Sequence, residues 1–173
     1  MRSNAILKLF CQRKRWCFLL FLLISGILFT QVSAAELPSP RKTIDLNSNW
    51  LFYGGDLPDA ARITTDLRKW QRVRLPHTWN ATDAFDETPG YRMGIGWYRK
   101  ELKFSELPDF AEDWQRKRIF LNFEAVGQIA EVYVNGQKAG FHEGGYSGFT
   151  VEITAFLHQE TSKPQIIAVK ADN

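Results

Sequence analysis

The stretch IAEVYVNGQKAGFHEGGYSGFTVEIT, Ile129 to Thr154, decides the fold of this 173-residue chain. Val132 and Val134 fall on one side of an extended segment, with Glu131 and Tyr133 on the other. Alternation with a period of two marks a half-buried strand. Asn135-Gly136 then supplies the two positive-φ residues of a type I′ turn, and Gln137 to Phe141 reads as the return strand. Gly144-Gly145 is a tight turn that presents Tyr146, because no helix follows to make it a phosphate cradle. Thr150 to Ile153 begins a further strand.

Outward from this hairpin the same grammar repeats. Trp50 to Tyr53 is a strand closed by Gly54-Gly55; Pro58 to Arg68 is irregular or a single helical turn. Gln71 to Leu75 points Val73 and Leu75 inward and stops at Pro76, whose missing N–H cannot extend a ladder. After a long loop from Asn80 to Gly96, Trp97 to Phe104 places Tyr98, Leu102 and Phe104 on one face against Arg99, Glu101 and Lys103. Arg118 to Ala125 and Gln165 to Ala171 complete the set. Many short strands without a long amphipathic helix predict an all-β sandwich or barrel. Strand pattern alone leaves an immunoglobulin-like sandwich and a jelly roll both open.

The amino-terminal residues have a separate logic. Met1 to Arg15 is basic, Trp16 to Phe29 is apolar apart from Ser25 and Gly26, and Val32-Ser33-Ala34 offers small residues for cleavage. Residues 1–34 therefore read as a secretory signal peptide, the apolar block being shorter than the ~20 residues a spanning helix needs. The expected mature protein, residues 35–173, is periplasmic, cell-surface or extracellular, with no stable membrane span. Cleavage removes Arg2, Lys8, Arg13, Lys14 and Arg15 and no acid, so the formal net charge goes from +3 to −2. The remaining chain has no polybasic stripe, which argues against a nucleic-acid or anionic-lipid partner. Both cysteines, Cys11 and Cys17, lie in the leader, so no disulfide framework or thiolate metal site is expected.

Candidate chemistry is sparse. Asp83, Asp86 and Glu87 sit together in the Asn80 to Gly96 loop, but nothing in the sequence fixes the separation that an acid/base pair requires, and a solvated charged loop is the simpler reading. His77, between Pro76 and Trp79 at a strand end, reads as a packed corner residue. His77, His142 and His158 match no metal-ligand spacing. No nucleophile elbow, P-loop or dinucleotide fingerprint occurs, so no cofactor is expected. Trp50, Trp70, Trp79 and Trp97 lie in or beside strands and read as core; Trp114 and Tyr146 are the candidates for exposed aromatic platforms.

Spaced elements together resemble the amino-terminal, sugar-binding-like domain of glycoside hydrolase family 2, the β-galactosidase and β-glucuronidase type. They are Trp50 with Phe52, Trp70, Leu75-Pro76-His77-Thr78-Trp79-Asn80, Gly96-Trp97-Tyr98-Arg99-Lys100, the Val132 to Gly136 turn, Gly140 with His142, Gly144-Gly145-Tyr146-Ser147 with Phe149, and the closing IIAVKADN. The resemblance implies a jelly-roll β-sandwich of the galactose-binding-domain type, truncated at its carboxyl end. It further implies an amino-terminal fragment, non-catalytic by itself, of a secreted glycosidase. In such enzymes two glutamates on a barrel hydrolyse the O-glycosyl bond with retention. That barrel and a second sandwich domain are the implied partners, with a β-galactoside or β-glucuronide as the carbohydrate. Asp83, Tyr91 and Arg92 are the implied substrate-binding residues of a complete enzyme. A free-standing secreted carbohydrate-binding module is the alternative.

Overall fold

The computed structural model describes residues 41–81, 83, 85, 90–107, 114–160 and 162–173. The leader at 1–34, Asp86 and Glu87 lie outside the described residues. Residues 44–173 form one compact unit. Eight strands follow in order: β1 Trp50–Gly54, β2 Gln71–Val73, β3 Ile95–Leu102, β4 Phe120–Phe123, β5 Ile129–Val134, β6 Gln137–Glu143, β7 Phe149–Glu152 and β8 Gln165–Asp172. Single 3-10 turns occur at Phe104–Glu106, Trp114–Arg116 and Thr154–Phe156, and the described residues contain no α-helix.

A six-stranded antiparallel sheet in the order β2-β1-β3-β8-β5-β6 faces a two-stranded sheet of β4 and β7. The architecture is the jelly-roll-like sandwich that the sequence implies. Register explains why the core forms. Phe52 lies opposite Tyr98, Tyr98 opposite Val169, and Val169 opposite Val132, so one row of apolar side chains crosses four strands on the inner face. Leu121 and Val151 of the smaller sheet close over that face in the same buried cluster. Gly140 lets the layers meet, since a Cβ there would fall 2.7 Å from Val151 Cγ2. The opposite face is covered as well: Ala60, Ala61 and Trp70 of the 55–70 segment pack on Trp97 and Ala168.

The hairpin forms as its sequence predicts. Asn135 and Gly136 have φ of 51° and 83°. Asn135 is more than a turn residue, because its Nδ2 donates to Phe156 O at 2.8 Å and to Gln165 Oε1 at 2.7 Å, while its Oδ1 accepts the Ile166 N–H at 2.8 Å. The turn is thereby fastened to β8, which lies between β3 and β5 with both ladders formed. β3 ends at Leu102, two residues earlier than expected, and Phe104 reaches the core from a 3-10 turn. Trp114 departs from its expected role as an exposed platform. It is 1% exposed and packs on Phe104 at 4.9 Å, so the polar stretch around it delivers a core residue.

Candidate functional site in the loop end of the sandwich

The strand register collects the loops. Ile95 lies opposite Asp172, Asp172 opposite Ile129, and Ile129 opposite Glu143, so the loop before β3, the loop before β5, the turn after β6 and the carboxyl end share one end of the sandwich. Gly144 N–H donates to Gln128 O at 2.8 Å, which ties the second to the third. Asn173 is tied to the first: Gly94 N–H donates to its Oδ1 at 2.9 Å, and Asn173 N–H returns a bond to Gly94 O at 3.3 Å.

Small residues make room beneath this end. A Cβ on Gly96 would lie 2.6 Å from Trp79 Cζ3 and 2.8 Å from Phe52 Cε2, so the indole can seat itself only over glycine. Trp79 stacks on Phe52 with ring centres 5.6 Å apart, and its Nε1–H donates to Arg92 O at 3.2 Å. Asp83 Oδ2 accepts the Arg92 N–H at 2.7 Å. The peptide groups of Arg92 are thus held from both sides. Its guanidinium rests against the Gly54 backbone, where a Cβ would fall 2.8 Å from Nη1. Tyr91, 73% exposed, Met93, 72% exposed, and Phe85, 89% exposed, project outward.

Of the three implied binding residues, Asp83 and Arg92 are brought together and Tyr91 stands beside them facing solvent. Asp83 acts through the backbone of Arg92. Loop sequence held no signal for the Trp79 and Asp83 clamp, because both contacts are to main-chain atoms, and Gly54 read only as the end of a strand.

His77 is the packed corner residue its context implies. Its Nδ1 lies 3.0 Å from Tyr98 Oη and its ring 4.8 Å from Phe52. Burial pushes the imidazole below its ordinary 6.5 and the Tyr98 phenol up to about 12. The imidazole is therefore held neutral, hydrogen-bonded to the phenol between Nδ1 and Oη. Unfolded His77 takes up a proton that folded His77 resists, so its contribution is complete above pH 6.5 and is lost as pH falls below that value. His77→Gln should be less stable than wild type near neutrality, with the gap narrowing from about pH 7.5 to about pH 5 in urea unfolding. Parallel curves would assign the acid sensitivity to other groups.

Tyr146 is fully exposed, as expected of a platform. Its turn is braced: His142 Nε2 lies 3.2 Å from Gly144 O and 3.1 Å from Ser147 Oγ, and the His142 ring stacks on Phe149 at 4.2 Å. A nitrogen whose proton faces a carbonyl cannot serve Ser147 as a base, so this pair braces the turn. Among the described residues no three His, Cys, Asp or Glu side chains converge as metal ligands, and no helix is long and apolar enough to cross a membrane.

Residues 42–171 match the family model described as glycosyl hydrolases family 2, sugar binding domain. The chain belongs to glycoside hydrolase family 2. A β-glucuronidase of Bacteroides fragilis is 36% identical over 150 residues, covering 87% of this chain and 19% of that protein. A β-galactosidase of Thermoanaerobacter pseudethanolicus is 33% identical over 135 residues, covering 77% and 17%. The crystal structure of a Bacteroides uniformis β-glucuronidase superposes with a TM-score of 0.66 at 40% identity, covering 76% of this chain and 14% of that one. This family 2 chain thus spans less than a fifth of the length of these relatives.

Proposed function

We propose that residues 1–34 export this chain and that residues 35–173 serve as the amino-terminal, non-catalytic module of a secreted family 2 β-glycosidase, with the loop end forming part of its sugar site. The observation that carries this reading is the clamped loop. Two contacts to the main chain of Arg92, from Asp83 to its N–H and from Trp79 to its C=O, hold Arg92 and Tyr91 in place at the end of a rigid sheet. Loops fixed on a rigid scaffold are where binding residues concentrate. The β-glucuronidase and β-galactosidase names of the relatives support a β-glycoside as the ligand class. Retaining hydrolysis requires two carboxyl groups roughly 5 Å apart across the scissile bond. In the loop, Asp83 already accepts the Arg92 N–H.

The purified chain is expected to bind without turning over. Amide shifts on addition of methyl β-D-glycosides should centre on Asp83, Tyr91 and Arg92, and p-nitrophenyl β-D-glucuronide and β-D-galactoside should release no p-nitrophenol above buffer. Turnover that disappears in Asp83→Ala would overturn the non-catalytic reading. Amide shifts confined to Tyr146 and its neighbours would move the sugar site to that turn and favour a free-standing binding module.

A further inference from the structure

We propose that the outer face of the β5–β6 hairpin is a self-complementary surface through which two copies of this chain pair about a two-fold axis. It is a sheet face, not the loop end, and it does not depend on the sugar-site reading.

Three observations carry it. The first is exposure. On the sheet face turned away from β4 and β7, Ala60, Ala61 and Trp70 cover Trp97 and Ala168, and that cover reaches Tyr133 on β5. Farther toward the β6 edge, Phe141 is 53% exposed and its diagonal neighbour Ile129 is 37% exposed. The second is the bulge. Lys138 lies opposite Tyr133, Phe141 opposite Glu131 and Glu143 opposite Ile129, with a register shift between Val132 and Tyr133. Residues three apart in an unbroken strand point to opposite faces. The extra residue, Ala139, brings Lys138 onto the face of Phe141 and Glu143. There the Lys138 Nζ stands 5.2 Å from the centre of the Phe141 ring and 2.9 Å from Glu131 Oε1.

The third observation is the order of charge. Lys138, Phe141 and Glu143 are spaced evenly along the face, two β5 residues or about 7 Å apart, as cation, ring and carboxylate. Such a row is its own complement. When a second copy lies face to face, turned about an axis that runs across the strands at Phe141, ring meets ring and each Lys138 meets the partner's Glu143. This is the isologous pattern of a two-fold dimer. Facing sheets pack about 10 Å apart, a gap that two Phe141 rings fill and that lysine and glutamate side chains span. Glu131 occupies one of the three donors of the Lys138 ammonium, which leaves donors for the partner's carboxylate. An anionic surface would repel Glu143 and a cationic one would repel Lys138, whereas a second copy satisfies both ends of the row.

The test is sedimentation velocity of the full chain over a concentration series. Wild type should show a reversible monomer–dimer equilibrium. Lys138→Glu and Glu143→Lys alone should each raise the dimer Kd at least about tenfold, because each sets like charges against each other at both edges of the pair. An equimolar mixture of the two variants should return the Kd to within about threefold of wild type, since opposite charges then face each other at both edges. Phe141→Ala should also raise the Kd at least about tenfold by removing the central ring contact. If Lys138→Glu does not fold beside Glu131, Glu143→Lys and Phe141→Ala decide, and a wild-type Kd in either refutes the interface. A wild-type chain that stays monomeric up to about 0.5 mM would refute it. Association equally strong in all the variants would place the contact on another surface and refute it too. Loss in both charge variants without recovery on mixing would overturn the two-fold pairing of Lys138 with Glu143.

Discussion

Arg99→Met is expected to destabilise the protein by about 3–5 kcal/mol in urea unfolding, the range for a buried charged network that loses its donor. Arg99 is 3% exposed at the centre of β3 and points to the outer face. Its Nη1 donates to Ala60 O at 3.1 Å and Arg62 O at 2.7 Å, and its Nη2 donates to Ile63 O at 3.1 Å. Burial lowers its basicity, with Glu101 opposing the shift, yet a guanidinium stays charged in a protein. The three carbonyls belong to the turns that carry Ala60 and Ala61 over Trp97 and Ala168. Methionine fills similar volume but leaves those carbonyls without their donor and the covering segment without its anchor. Arg99→Lys should restore only part of the loss, because one ammonium lacks the fork that spans three acceptors. A midpoint for Arg99→Met unchanged from wild type would show that Trp70 and the alanines hold the segment unaided.

Trp114→Ala should cost about 3–5 kcal/mol, whereas Tyr146→Ala should change stability by less than about 0.5 kcal/mol. The two aromatics stand in similar loop-like sequence, yet one is 1% exposed and the other fully exposed. Removing the Trp114 indole opens a cavity against Phe104 that the surrounding sheets cannot close. Its Nε1–H has no acceptor among the described residues, so Trp114→Phe should retain most of the stability. Equal melting temperatures for Trp114→Ala and wild type would return Trp114 to the surface.

These contrasts mark what was legible in the sequence. The hairpin was, because Asn135 and Gly136 carry their positive φ by local sterics, and a period of two sorts Val132 and Val134 from Glu131 and Tyr133 whatever the partner strand. The sandwich class followed from the same short-range rules, and the packed corner at His77 followed from its neighbours. Only the tertiary structure set the strand order, with β8 between β3 and β5, since pairing joins residues far apart in the chain. It also decided the burial of Trp114, the anchoring role of Arg99 and the backbone contact that engages Asp83. Trp114 is overridden by the core cluster it joins, and Arg99 and Asp83 by main-chain atoms, and neither kind of partner leaves a trace in local periodicity. Sequence by itself determined which segments extend and turn; the fold determined which side chains those segments bury and which of the described ones stay exposed at the loop end, because burial and pairing depend on what the rest of the chain places opposite them.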